Sequence, residues 1–390
     1  MDVLDIALVV LVVLAAIHGL RLGALVQVLT FGGFLLGLTL GGLLAVALAR
    51  PVRSTTTRDV ITLLLVLGLA VLLGVAGRIL GSWGHLAIRR VHLGTLDGVL
   101  GVAVAAVAVL LSAWLVANVL TQGSYSWVST QIQGSDVLRA IDDVLPPAPG
   151  VFAEVRGLLA DPSFPSVFAG ISPTTAPPVG LPSSSAAGAI AARAAGSTVK
   201  VLGQACGYLQ EGSGFVVEPG LVVTNAHVVA GERSTQVVVG SGSYQATPVL
   251  YDPSFDLAVL RTDAPVGPPL TVDPDDVGRG TQGAVVGYPE NGSLSVGPAG
   301  VAAALTAEGQ DIYDQGTVVR KVYQIDADVQ PGNSGGPLVA ADGQVVGVVF
   351  SRSTVSAHVG YALASPGVLA RVREAEGRST PVGTGACTEG

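Results

Sequence analysis

"QPGNSGGPLVAADGQVVGVVF", Gln330 to Phe350, sets one serine among glycines and then runs through a turn into an apolar strand. A flexible linker would share the first half of this composition, but not the strand that follows. The glycines therefore belong to a folded domain. There, glycine serves a tight turn or lets another group come close to the backbone.

The same pattern extends to both sides. Short apolar runs recur as TVKVLGQA (198–205), GSGFVVEPGLVVTNAHVV (212–229), QVVVGSGSYQATPVLYD (236–252), DLAVLRT (256–262) and QGAVVGYP (282–289). They continue as VGPAGVAAALTA (296–307), VVRKVYQIDA (318–327) and VGYALA (359–364). Many short strands punctuated by Gly, Pro and Asn-Gly predict an all-β barrel or sandwich. SPGVLARVREAEG (365–377) closes it with one helix.

The N-terminal third is different. Charged residues make up only 12% of the chain, against roughly 25% in ordinary soluble domains. From Val3 to Leu120 they fall almost entirely in three short breaks. Four membrane helices are predicted, over roughly Val3–His18, Ala24–Ala49, Val60–Leu80 and Leu96–Leu120. Each is near the length of about 20 apolar residues that spans a bilayer. The first begins with Asp2 and Asp5 instead of a basic stretch and is followed by three more spans, so it is no cleavable leader.

Four spans put both ends on one side. Loop arginines do not choose the side: Arg21, Arg89 and Arg90 oppose Arg50, Arg53 and Arg58. The two cysteines do. Cys206 and Cys387 bracket the non-membrane half, and a bridge between them needs an oxidising compartment. The alternative is two unrelated thiols. On the first reading the C-terminal half lies outside the cytoplasmic membrane.

Gly33, Gly37 and Gly41, and then Gly77 and Gly81, recur every four residues and predict close helix packing. Asp97 is either an intramembrane functional acid or an acid placed at a favourable helix start. Between 121 and 197, SDVLRAIDDVL (135–145) and VFAEVRGLL (151–159) predict short amphipathic helices. The Pro, Ser and Ala-rich stretch from Ile171 to Ser197 predicts a tether, with a helix in its Ala-rich end as an alternative the pattern does not require. The expected division is 1–120 membrane domain, 121–197 linker and 198–390 β-domain. A net charge of −8 without a basic patch excludes nucleic acid as a partner. The sequence holds no metal-ligand cluster or phosphate loop, so neither cofactor nor metal is expected.

A serine hydroxyl needs a base to act as a nucleophile. Of five histidines, His18, His85 and His92 belong to the membrane half, leaving His227 and His358. The imidazole in turn needs an orienting carboxylate. Asp256 stands at a strand entrance; Asp252, before Pro253, is the alternative.

TNAHVV (224–229), DPSFDLAVL (252–260) and GNSGGPL (332–338) stand in the order His, Asp, Ser. On this β-rich background they resemble the trypsin-like serine proteases, especially the bacterial HtrA-like branch, from about Val199 to Arg373. HGLRLGALVQVLTFGGFLLG (18–37) and LGTLDGVLGVAVAAV (93–107) resemble the four-helix membrane domain of the colicin V production protein family. Together with the cysteine pair, the whole resembles the MarP-like membrane-anchored serine proteases of mycobacteria and related actinobacteria, with no PDZ domain after the protease.

The resemblance implies an all-α four-helix transmembrane domain followed by an all-β double β-barrel. It makes Ser334 the nucleophile, His227 the general base and then acid, and Asp256 the orienting carboxylate. The oxyanion hole falls on Gly332, Asn333 and Ser334, with the backbone N–H groups of Gly332 and Ser334 as donors. The substrate pocket falls on Asp328, Ser351, Arg352, Ser353, Val359 and Gly360. Asp328 favours basic side chains, whereas Val359 favours small or medium apolar ones. Asn333 stands where the digestive enzymes carry an acid, so activation by a new N-terminus is not expected. Attachment to the outer membrane face implies envelope or secreted proteins as substrates, and a monomeric protease domain is expected; the resemblance implies a part in acid and oxidative stress resistance. Two rivals remain. One is an α/β-hydrolase using Ser334, Asp342 and His358; the other is a silent protease fold serving as a binding module.

Overall fold

In lipid a backbone must satisfy its own N–H groups, so long apolar segments become helices. The computed structural model describes residues 3–49, 55–90, 94–120, 126–145, 165, 167–168, 175–205, 208–353, 356 and 358–388. The chain divides into two units, Met1–Ala160 and Asp161–Gly390. The first holds α1 (Val3–Leu22), α2 (Ala24–Ala49), α3 (Thr55–Arg90) and α4 (Gly94–Leu120), all long and apolar enough to cross a membrane. α3 outruns its predicted span at both ends, because helix geometry continues into the polar flanks.

The spaced glycines mark backbone contact. A Cβ on Gly37 would lie 2.4 Å from the Leu69 carbonyl, and one on Gly77 only 1.9 Å from that of Leu29. α1 and α4 meet the same way, Gly19 and Gly101 each facing the other's carbonyl. Asp97, in the first turn of α4, accepts the Leu25 N–H at the start of α2 (3.2 Å) and pairs with His85 Nδ1 of α3 (2.7 Å). It therefore ties three helices at one end of the bundle.

SDVLRAIDDVL does contain a helix, α6 (Asp136–Asp142), after α5 (Ser126–Gly134). Ser135 caps α6 and donates to the buried Asp5 carboxylate of α1 at 2.6 Å. At the other end Trp114 Nε1 donates to Asp142 at 2.6 Å. The stretch 151–159 lies outside the described residues.

The second unit is two closed antiparallel barrels of six strands. The first comprises β1 (Thr198–Ala205), β2 (Tyr208–Glu218), β3 (Leu221–Thr224), β4 (Thr235–Val239), β5 (Gly242–Asp252) and β6 (Leu257–Thr262), in the order β1-β2-β3-β6-β5-β4. The second comprises β7 (Gln282–Gly287), β8 (Ser295–Gln310), β9 (Thr317–Asp326), β10 (Pro337–Ala340), β11 (Val345–Arg352) and β12 (Val359–Ala364), in the order β10-β11-β12-β9-β8-β7. Closure leaves no unpaired edge, and β-branched side chains fill the interiors.

The predicted tether is corrected from residue 175 onward. Ser184–Ala194 forms a helix, α7, capped by Ser183, and its Ala187, Ala191 and Ala194 join the apolar core with Ala284, Val286 and Ala307. Upstream, the Val179 N–H reaches Asp326 (2.6 Å) and Gln282 reaches the Gly180 carbonyl (3.0 Å). Alanines at i, i+4 and i+7 make a real apolar stripe, but too small a one to stand out in a Ser/Ala/Pro composition. After β12, a helix α8 is found at Ser365–Ala375 as predicted, burying Val368, Val372 and Ala375.

Candidate functional site

β3 ends at Thr224 and the chain turns at once through Asn225 into a single helical turn, Ala226–Val229, which carries His227. Ala226 and the following Ala230 pack against Ile312 at the tip of the β8–β9 hairpin, with Tyr251 and Tyr313 alongside. Those two hydroxyls share a 2.5 Å hydrogen bond. Burial and then this bond push the Tyr251 hydroxyl pKa well up, so it stays neutral. The histidine turn is thus held by both barrels.

Asp256 lies just before β6 and is fully buried. Its carboxylate accepts the His227 backbone N–H at 3.0 Å and His227 Nδ1 at 3.0 and 2.9 Å. An ionised carboxylate only accepts, so Nδ1 carries the proton and Nε2 is left basic. Asp256 has φ 64°, unusual for a residue with a side chain. Asn225 Nδ2 donates to its carbonyl at 2.8 Å and holds it there.

Asp252, the other carboxylate weighed, is engaged elsewhere. Its oxygens accept the Ser254 and Phe255 N–H groups (3.1 and 2.9 Å) and Arg371 Nε (3.0 Å). His358 is exposed and serves through its carbonyl, which accepts the Ala327 N–H at 3.0 Å. Asp342 is an exposed turn residue bonded to Gln344 (3.0 Å). Two antiparallel barrels, with Pro337 opening a strand and no helix after the serine, do not match the hydrolase layout.

Ser334 follows a four-residue turn. The Asn333 N–H donates to the Gln330 carbonyl at 3.0 Å, with Pro331 second and Gly332, at φ 91°, third. This is the residue pattern of a type II turn. A Cβ on Gly332 would also fall 2.4 Å from the Tyr288 carbonyl. The quoted glycines therefore serve both turn and close approach. Because the Asn333 N–H is turned into its own loop, it is not available to an oxyanion; the Gly332 and Ser334 N–H groups have no such partner among the described residues.

Gly335, at φ 83°, fits so closely that a Cβ would lie 2.1 Å from the Ser213 carbonyl and 3.1 Å from Asn225 N. The serine turn is thereby pressed against the residue two before His227. Ser334 Oγ and His227 Nε2 are both buried, and neither has a hydrogen-bond partner among the described residues.

Ser351–Arg352 on β11 pair with Gly360–Tyr361 on β12, so two of the expected pocket walls are adjacent strands. Ser353 closes the end of that ladder by donating its N–H to Val359 (2.8 Å). Asp328 is exposed and accepts from Gln330 Nε2 at 3.3 Å. It is Val329 that is buried, and a Cβ on Gly360 would meet its Cγ2 at 2.4 Å. Ser351 Oγ donates to the Pro165 carbonyl (2.7 Å), and Phe168 packs edge-on against Tyr361. The linker thus contributes to this face. Cys387 lies against Gly231, whose Cβ would be 3.0 Å from its Sγ; Cys206 lies outside the described residues.

Asn225 and Ser213 were not singled out from sequence, although both sit within the quoted runs. The signal was their position next to the histidine and beside glycines; what they bond to is set by the tertiary fold.

Comparison with known proteins agrees with this architecture. Residues 212–348 match the trypsin-like peptidase domain family and residues 4–146 the colicin V production protein family. The chain is 38% identical over 390 residues to the serine protease Rv3671c of Mycobacterium tuberculosis, covering 98% of each. The crystal structure of that Rv3671c protease in its active form superposes with a TM-score of 0.54, at 38% identity, over 56% of this chain and 96% of that one. A probable periplasmic serine endoprotease, DegP-like, of Halomonas elongata is 37% identical over 165 residues, covering 40% of this chain and 32% of its own length. The chain is a membrane-associated serine endopeptidase and belongs to the Rv3671c-like (MarP-like) family of trypsin-type serine proteases.

Proposed function

We propose that this protein cleaves envelope or secreted proteins through a Ser334 acyl-enzyme, on the extracytoplasmic face of the membrane. His227 takes the Ser334 proton and returns it to the leaving amine. Asp256 keeps the imidazole in the required tautomer and stabilises it once charged. The Gly332 and Ser334 N–H groups receive the oxyanion. The observation that carries this reading is the doubly bonded His227–Asp256 pair, with the serine turn packed at Asn225. Ser334 Oγ and His227 Nε2, both buried and without a partner among the described residues, are the donor and acceptor this proton transfer needs; such bonds commonly tighten only with substrate present.

Small or medium apolar residues are the preferred side chains at the cleavage site, because Val329 is buried beside Gly360 while the Asp328 carboxylate is solvated. A bridge between Cys206 and Cys387, the chain's two cysteines, would need an oxidising compartment and so would favour the extracytoplasmic side. Kinship with MarP-like enzymes supports a part in acid and oxidative stress resistance. The bundle is assigned to 1–120, and the protease module takes in Pro165 and Phe168 as well as the chain from residue 175 onward.

The test is labelling of full-length protein in membranes with a fluorophosphonate. Wild type is expected to label, and Ser334→Ala and His227→Ala to lose both labelling and proteolysis. An unlabelled wild type would instead mark a silent protease fold.

A further inference from the structure

An oxyanion hole made of main-chain N–H groups is only as good as the orientation of its peptides. Each peptide of the Gln330–Ser334 turn could rotate, since Gly332 tolerates either sign of φ. Two bonds prevent this. The Pro331 carbonyl accepts the Glu290 N–H at 2.8 Å, and the Gly332 carbonyl accepts the Ser213 hydroxyl at 2.6 Å.

Ser213 sits on β2 of the first barrel, fully buried, whereas the turn belongs to the second. It meets the turn three times. Its N–H donates to the Ser334 carbonyl (2.8 Å), its hydroxyl to the Gly332 carbonyl, and its own carbonyl lies under Gly335. The hydroxyl also accepts the Tyr288 N–H (2.8 Å), and Thr224 Oγ1 donates to its carbonyl (2.8 Å). The one hydroxyl proton thus goes to Gly332, because Tyr288 occupies a lone pair. Neither the Gly332 carbonyl nor the Tyr288 N–H has another hydrogen-bond partner among the described residues.

We propose that Ser213 is a positioning residue for the oxyanion hole, its hydroxyl locking the Gly332–Asn333 peptide, which links the two peptides whose N–H groups, of Gly332 and Ser334, are to receive the substrate oxygen. The inference rests on the Ser334 acyl-enzyme reading. The hydroxyl touches no reacting atom. It acts on the turn, and its effect should appear when negative charge develops, not when peptide binds.

The experiment uses full-length protein in detergent, a peptide substrate with a small apolar residue at the cleavage site, and a peptidyl boronate that forms a tetrahedral adduct. Ser213→Ala is expected to lower kcat about 10- to 100-fold with KM within about twofold, less than the loss of a direct donor. Boronate affinity should fall by the same factor as kcat/KM. Ser213→Cys keeps the shape with a weaker donor and should fall between; it carries the test if the alanine variant does not fold. Unchanged kcat and boronate affinity in a folded variant overturn the proposal. So does a rise in KM matching the loss, which marks general disorder of the site. Turnover surviving Ser334→Ala would instead sink the underlying reading, whatever Ser213 does.

Discussion

Asn225 holds Asp256 by the main chain: its Nδ2 donates at 2.8 Å to the carbonyl of a residue at φ 64°. Left-handed backbone on a residue with a Cβ costs about 1 kcal/mol or more and persists only where surroundings over-determine it. Asn225→Ala removes the clamp while keeping every residue that handles protons. We expect kcat/KM to fall about 10- to 100-fold, against a fall of about 10⁴ for Asp256→Asn, which keeps the shape but favours the wrong tautomer. Steady-state kinetics of the two variants side by side check this ordering.

Glu232 supplies a pH dependence. Its carboxyl lies over Gly203, takes the Thr235 hydroxyl, and has a buried oxygen, Oε1, without a partner among the described residues. Burial raises its pKa to about 7, against the Thr235 bond, which lowers it. The folded state therefore holds this proton over a range where the unfolded chain, near 4.5, has released it. Stability should fall as pH rises from about 4.5 to about 7 and level off above, by at most about 3 kcal/mol. Denaturant titrations at pH 5 and pH 8 should show this loss in wild type and not in Glu232→Gln; equal slopes would refute it.

The C-terminal tail is laid along the first barrel by Val382 N–H to Pro248 (2.9 Å) and Gly231 N–H to Thr384 (3.0 Å). A bridge from Cys387 to Cys206 would close a long loop, worth about 5 kcal/mol in the chain-entropy model and less with strain. Reduction, or Cys387→Ser, should lower Tm by several degrees or more. An unchanged melt in reductant would argue against the bridge.

Adjacent glycines in α2 provide an internal control. A Cβ on Gly33 would lie 2.3 Å from the Leu73 carbonyl, while nothing lies within 4 Å of one on Gly32. Gly33→Leu should sharply reduce monodisperse protein in detergent, and Gly32→Leu should not. Size-exclusion profiles distinguish them.

Much of this was legible in the sequence because the signals were local. Strand alternation, turn residues and the motifs around His227, Asp256 and Ser334 each reside in a few neighbouring positions. The unbroken apolar runs of α1–α4 are equally local. What escaped depends on distance. Asn225 and Ser213 acquire their roles only when β2, β3, the β5–β6 turn and the β10 approach meet, and no spacing encodes that. Asp328 stayed open as a pocket base because sequence position does not say which of two neighbours turns inward; Asp328 is exposed and Val329 buried. α7 was hidden because alanine, however well buried, carries little hydropathy contrast.

That alanine-lined helix sets where the protease can be cut free. A recombinant fragment begun at the first strand would strip Ala187, Ala191 and Ala194 from their bed and lay bare the apolar surface beneath. Expression boundaries drawn upstream of Thr175 should yield soluble, well-behaved material, and those drawn at Thr198 aggregates.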